Sequence, residues 1–436
     1  MATTLDRMGL RVVLAIAWPI MVSMVSRSLL VTVDTIFVAH QGTTSLAAVG
    51  LAGAASFIPI AFGFGLMAAV GILTSQRTGA GRDTDTLGAQ ALGLGLATGL
   101  ALWVFAPIGP VLFPLLGASP EATPLASAFF ALRMFAAPFE LGLAALSGWF
   151  RGRGDTRTPM VATLLTNGLN IALAALFVLG MGWGVPGAAA ATAIALAIGL
   201  LFLWWRLGGL PARPTWSLVR QVVATGGPMG VHDALDVLAF VIFGAILARL
   251  GEAELASHLI VLRIMSMSFL PGHAISEATS VLVGQALGAR RPRQARQAIV
   301  AGLQLAVGLM TVGGAVFVLL PAQLVAVFAA APDVTRIACQ LLWVGATFQV
   351  FDAVAMVVMG ALRGAGDTRF LFQAGILPSW LVKLPVGAAA ALWLGWGAVG
   401  AWMGLTAEMM VVAAVVLYRV RGTGWLRRGG RHAAMA

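Results

Sequence analysis

The chain has 436 residues, of which 60% are apolar and only 10% charged, with a mean hydropathy of +0.94. Soluble domains are about 45–50% apolar and about 25% charged, so lipid must cover much of this surface, and soluble enzymes and secreted binding modules are excluded. The net charge of +11 sits in short Arg clusters between apolar runs, not in a nucleic-acid-binding stripe, and the single Cys339 excludes a disulfide framework and a cysteine metal site.

A helix needs about 20 apolar residues to cross about 30 Å of hydrocarbon. The first such run, 10–38, is too long for a signal-peptide core and has no evident cleavage site, so it reads as an uncleaved span. Runs at 44–74, 86–114, 122–149, 158–180 and 184–207 follow. The longest polar linker, from about Gly208 to Arg220, carries Pro211 and Pro214 and marks a boundary between halves. Six more runs come after it, at 218–249, 255–285, 295–319, 333–361, 370–393 and 397–419. They are continuous and do not alternate apolar with polar, which indicates helices and not a barrel.

The expected fold is therefore an all-α polytopic membrane protein with twelve transmembrane helices. Its expected parts are an N-terminal six-helix lobe (1–207), a cytoplasmic linker (208–220), a C-terminal six-helix lobe (221–420) and a basic cytoplasmic tail (421–436). With the N-terminus in the cytoplasm, that side gathers Arg77 and Arg82, the Arg151–Arg157 cluster, the Arg290–Arg296 cluster, and Arg419 and Arg421. The opposite side keeps only Arg249 and Arg336. Such an imbalance places both termini inside.

The halves repeat each other. Arg151-Gly-Arg-Gly-Asp-Thr-Arg157 returns as Arg363-Gly-Ala-Gly-Asp-Thr-Arg369, 212 residues on. Gly182-Trp-Gly-Val-Pro-Gly-Ala188 returns as Gly395-Trp-Gly-Ala-Val-Gly-Ala401, 213 residues on, and Pro19 matches Pro228 at 209. An even number of spans per unit makes the repeats parallel, related by an axis along the membrane normal. The Arg-Gly-x-Gly-Asp-Thr-Arg loops read as structural elbows, because glycines permit a tight turn and Asp caps a helix.

In order along the chain, Pro19 with Val33-Asp34-Thr35-Ile36-Phe37-Val38, Leu282-Val-Gly-Gln-Ala-Leu-Gly-Ala289, the duplicated Arg-Gly-x-Gly-Asp-Thr loop and the Gly-rich start of span six ending at Thr192 form one pattern. It resembles the multidrug and toxic compound extrusion (MATE) family, in its DinF-type or NorM-type bacterial branches, over nearly the whole chain. The resemblance implies two pseudo-symmetric six-helix lobes in a V, and an antiporter in the bacterial inner membrane. Such a protein exports amphiphilic, often cationic compounds in exchange for H⁺, or less favourably Na⁺, by alternating access. It implies a monomer whose partners are small amphiphiles and the lipid bilayer, with no nucleic acid, no cofactor, no metal centre and no enzymatic activity. A flippase or exporter of a lipid-linked precursor or metabolite is the alternative, though it would favour a more basic interior.

Charges inside the spans carry the functional expectation, since each costs at least about 2.5–3.5 kcal/mol at mid-membrane and needs a partner, a proton or water. The acids are Asp34, Glu140, Asp233, Asp236, Glu277, Asp352 and Glu408; the bases are Arg27, Arg133, Arg263 and Lys383. By the resemblance, Asp34 takes the coupling proton or cation, Asn170 and Thr192 are its polar partners, and Pro19 is the bending point of span one. Ala174 stands where one branch of the family has a second acid. Pairing of Asp34 with Arg27 is the structural alternative.

In the C-terminal half, Asp236 and Asp352 match acids that form a cation site in the NorM-like branch. Asp233 lies one turn from Asp236. Lys383, the only lysine of the chain, either takes part there or neutralises Asp352 or Glu408. Glu140 and Asp352 hold equivalent repeat positions, with Arg133 a partner available to Glu140. His232 beside Asp233 and His273 near Glu277 read as packing or capping residues before proton relays. Met265, Met267, Met356 and Met359 are available for a pliant substrate cleft, or for helix packing.

Overall fold

The computed structural model describes residues 9–39 and 41–426. Among them, twelve helices are long and apolar enough to cross a membrane, and the protein is an all-α polytopic membrane protein. They are α1 (Leu10–Ala39), α2 (Thr43–Gly79), α3 (Asp85–Leu115), α4 (Ala122–Gly152), α5 (Arg157–Gly180), α6 (Gly184–Leu207), α7 (Trp216–Leu250), α8 (Glu252–Gly288), α9 (Pro292–Leu319), α10 (Pro332–Gly364), α11 (Thr368–Trp393) and α12 (Gly397–Arg421). A short helix, Pro321–Ala326, follows α9. Several helices overrun their apolar runs by a few residues, because their ends continue into polar turns such as Gln76–Gly79 and Glu252–Glu254. Of the expected basic tail, 427–436 lies outside the described residues.

The chain divides into two compact units. One is Val22–Gly230; the other joins residues up to Met21 with those from Val231 onward. Each cut falls two residues past one of the repeat-related prolines, Pro19 in α1 and Pro228 in α7. Proline inside a helix removes one backbone hydrogen bond and weakens the helix at that point.

The duplicated loops are turns with one geometry. Gly154 and Gly366 both take positive φ, 90° and 75°, which explains the second glycine of each motif. Asp155 then caps α5: its Oδ1 accepts from the backbone N–H of Arg157 and Thr158, and its Oδ2 from the Thr158 hydroxyl at 2.6 Å. In the second copy, Asp367 is instead clamped by Arg419 of α12, through Nε at 2.9 Å and Nη2 at 2.7 Å. The Gly-Trp-Gly turns also match, with Gly182 and Gly184 at φ 69° and 58° against Gly395 and Gly397 at 69° and 57°. Outside the spans, Asp83 accepts from the Asp85 N–H and the Thr86 hydroxyl, which holds its carboxyl below the usual carboxylate range.

Helix packing uses small residues, as it must where lipid supplies no hydrophobic drive between helices. In the second unit, a Cβ on Gly404 of α12 would meet the backbone nitrogen of Gly387 in α11 at 2.5 Å. Around that contact, Phe243, Met265, Phe348, Leu384, Trp402 and Leu405 form part of a continuous buried core. Gly404→Val is therefore expected to lower the melting temperature of the purified protein clearly, because backbone must move. Gly244→Ala, with nothing within 4 Å of its added Cβ, should leave that temperature unchanged or slightly raised.

Candidate functional site

In the unit Val22–Gly230, the C-terminal ends of α1 and α5 and the N-terminal end of α6 meet in a layer of Val38, Val178 and Ala188. Asp34 lies one turn inward of Val38 along α1. Ala174 lies one turn inward of Val178 and Thr192 one turn inward of Ala188. The packing thus brings Asp34, Ala174 and Thr192 to a common level. Asn170, one turn further along α5, donates from Nδ2 to the Thr192 hydroxyl at 2.9 Å, and that hydroxyl donates to the Ala188 carbonyl at 3.1 Å. Asn170 Oδ1 and Asp34 Oδ1 are both buried and have no hydrogen-bond partner among the described residues.

Asp34 makes no ion pair among the described residues. Arg27 is occupied elsewhere, its guanidinium 5.8 Å from the centroid of the Phe64 ring. Arg133 bears on Asp34 only at a distance; its own contact is with Glu140, Nη2 to Oε2 at 3.1 Å. Asn167 donates to Ser26 at 2.8 Å, tying α5 to α1 one helical turn from Asn170. What remains at Asp34 is a carboxyl group with hydroxyl and amide neighbours and no second fixed acid.

The other unit has a different constellation. Lys383 of α11 is fully buried, its Nζ 3.6 Å from Asp236 Oδ1 of α7 and 3.4 Å from Glu408 Oε1 of α12. The ammonium sits 4.2 Å from the centroid of Phe240. Ser379 donates to Asp236 Oδ1 at 3.5 Å. Asp352 of α10 is buried, within electrostatic reach of Glu408, and its Oδ2 has no hydrogen-bond partner among the described residues. Lys383 thus joins Asp236 and Glu408; no ion pair between it and Asp352 is found among the described residues.

Asp233 stands apart from that cluster. Its Oδ1 is 3.1 Å from His232 Nδ1 and its side chain is half exposed. Glu277 pairs with Arg363, the first residue of the second elbow motif. His258 accepts from the Trp402 indole at 3.2 Å and packs edge-on to Phe243, a satisfied core histidine. Phe240 and Ser379 are participants that sequence reasoning did not name, whereas Glu408 was one of the two acids, with Asp352, offered as partners of Lys383, and it is the one found in an ion pair with it. Glu408 was visible as a lone in-span acid, but nothing in spacing alone links α12 to Asp236.

A family model described as MatE matches residues 19–176 and 228–388, and its two stretches start at the repeat-related prolines. A probable multidrug resistance protein NorM of Pseudomonas putida is 32% identical over 436 residues, covering 94% of this chain and 93% of that one. Another of the same description, from Xanthomonas axonopodis pv. citri, is 30% identical over 432 residues with the same coverage. An outward-facing multidrug resistance MATE family transporter of the MOP superfamily superposes with a TM-score of 0.88 at 23% identity, over 99% of this chain and 98% of that one. A MOP superfamily transporter from Pyrococcus furiosus, described as having a binding pocket of reverse polarity that suggests a different function, gives 0.87 at 23% identity over the same shares. Both structures share the fold of this chain.

Lys383 is buried and faces two carboxylates at once, so its removal should cost more than that of a surface lysine. Lys383→Met is expected to destabilise the purified protein by about 3 kcal/mol, since it strands buried charge. Adding Glu408→Gln should recover most of that loss. A double-mutant cycle on denaturation midpoints reads the coupling, and additive losses would mean that the pair does not interact.

Proposed function

Because the chain belongs to the MATE family of membrane transporters, we propose that it exports amphiphilic, predominantly cationic organic compounds in exchange for H⁺, by alternating access. It works as a monomer in the bacterial inner membrane with both termini cytoplasmic, an orientation supported by the Arg imbalance between loops. The NorM relatives are described as probable multidrug resistance proteins, which supports the substrate class. The family is one of transporters and not of enzymes.

The observation that carries H⁺ over Na⁺ is the isolation of Asp34. Bare Na⁺ gains from several oxygen ligands and more than one fixed negative charge. Asp34 offers one carboxyl, a level shared with the methyl group of Ala174, a Thr192 hydroxyl already engaged by Asn170 Nδ2 and the Ala188 carbonyl, and the Asn170 amide oxygen as the one other open ligand of this set. A proton needs only one oxygen. Protonation removes the formal charge of Asp34, so the energy of burying this region differs between its loaded and unloaded forms by a term large enough to bias a two-state protein. Pro19 and Pro228 are the bending points, a role supported by the division of the chain two residues past each.

The deep charge balance disfavours export of an anionic lipid-linked precursor. Glu140 is already matched by Arg133, and Lys383 is shared between two acids. Two of the four in-span bases are thereby already held by acids and are not available to greet a phosphate.

Asp34→Asn should abolish dye efflux from cells while leaving expression and the melting temperature unchanged, and Asp34→Glu should retain part of the activity. In inside-out vesicles, uptake of ethidium is expected to cease when the pH gradient is collapsed, whatever the Na⁺ gradient. Uptake that follows Na⁺ instead would reverse the choice of ion.

A further inference from the structure

The cluster around Lys383 holds an arrangement that H⁺ exchange at Asp34 leaves unused. Its origin is visible in the repeat. Arg157 and Arg369 are 212 residues apart, whereas Gly182 and Gly395 are 213 apart. Between these landmarks α11 therefore contains one residue more than α5. From Arg157 to Ala174, α5 is regular α-helix, then a π turn runs over Ala175–Gly180. The matching π turn in α11 is Ala389–Trp393. But α11 has a second one, Ser379–Lys383, with no counterpart in α5. A π turn is how a helix absorbs an inserted residue, so the extra residue lies here, and it brings Lys383 to the position of Asn170.

That position is built for a monovalent cation. Two carboxylate oxygens, from Asp236 and Glu408, face the ammonium at 3.6 and 3.4 Å. The Ser379 hydroxyl attends the first carboxylate, and the face of Phe240 lies on the ammonium at 4.2 Å. Nζ is buried yet makes no hydrogen bond among the described residues. Charge-assisted hydrogen bonds run about 2.7–2.9 Å, so the carboxylates hold Lys383 by its charge and not as a directional donor. A third acid, Asp352, lies within electrostatic reach of Glu408. The cluster sets at least two acids around one monovalent cation, and the chain supplies that cation covalently.

We propose that Lys383 is a resident cation: its ammonium fills the monovalent-cation position formed by Asp236 and Glu408. The cluster then binds no Na⁺ while the lysine is in place, and becomes a Na⁺ site when the lysine is removed. This holds whatever solute is exported and whichever ion drives export, because it concerns binding alone.

The test is equilibrium binding of radioactive Na⁺ to the purified full-length protein, at mildly alkaline pH in choline buffer. Wild type should show no saturable binding that Asp236→Asn removes. Lys383→Ala should retain at least about tenfold more Na⁺ than wild type, and the further change Asp236→Asn should abolish that gain. Lys383→Gln is run in parallel as the variant closer in size. Saturable Na⁺ binding by wild type that is lost in Asp236→Asn overturns the proposal. So does a monodisperse, fully helical Lys383→Ala or Lys383→Gln that binds no more Na⁺ than wild type. Should neither variant survive purification, the wild-type and Asp236→Asn pair decides alone, in either direction.

Discussion

A charge sunk in hydrocarbon must be matched inside the protein, and this requirement organises everything below the lipid-facing surface. Arg133 with Glu140 in one unit, and Lys383 with Asp236 and Glu408 in the other, are matches made between or within helices. Asp34, Glu140, Asp352 and Glu408 each keep a buried carboxyl oxygen without a hydrogen-bond partner among the described residues, and of these Asp34 and Asp352 make no ion pair there either. An unsatisfied buried carboxyl is costly to keep. Under the proposed exchange of a proton for cargo, a partner that comes and goes completes it.

The two units share a scaffold but not a charge pattern. At the offset set by the two prolines, Arg27 corresponds to Asp236, and Asp34 corresponds to Phe243 in the hydrophobic core. At the offset set by the elbow loops, Glu140 corresponds to Asp352, but the place of Arg133 is taken by Gly345, against which the sulfur of Met265 packs. Asp352 has thus lost the guanidinium that its repeat partner keeps. Duplication preserved what turns and helix packing require: the left-handed glycines, the close-packed small residues and the prolines. The ionisable groups diverged, since a charge can be relocated among neighbouring helices provided the total stays matched.

This division also explains what could be read in advance. The twelve spans, the duplication and the elbow loops follow from local rules: apolar run length, recurring motifs, and glycine at positive φ. Asp34, Asn170 and Thr192 were legible because motifs flank them, and α1, α5 and α6 do converge there. The pairing of Lys383 with Glu408 was legible only as an alternative to Asp352, because the choice depends on the rotational setting of α11 against α12. Apolar periodicity does not encode that setting in helices that are hydrophobic all round. Asp233 illustrates the reverse case. Its spacing from Asp236 suggested a shared face, yet it pairs with the adjacent His232 and stays half exposed.

The rotational setting of α11 depends on a single residue. In an α-helix each residue advances the facing direction by about 100°. One residue inserted before Lys383 and left in regular α geometry would swing the helix beyond it, and the Gly387–Gly404 approach, out of register with α12. The π turn at Ser379–Lys383 takes up the insertion locally. It keeps Gly387 and Gly400 against their partners while bringing a long cationic side chain to the level where the other repeat has an amide. A side chain of that length and charge would be intolerable there without acids on both flanking helices. Asp236 and Glu408 are on α7 and α12, where the equivalent positions of the first repeat carry none. The insertion, the lysine and the two acids therefore form one unit of change.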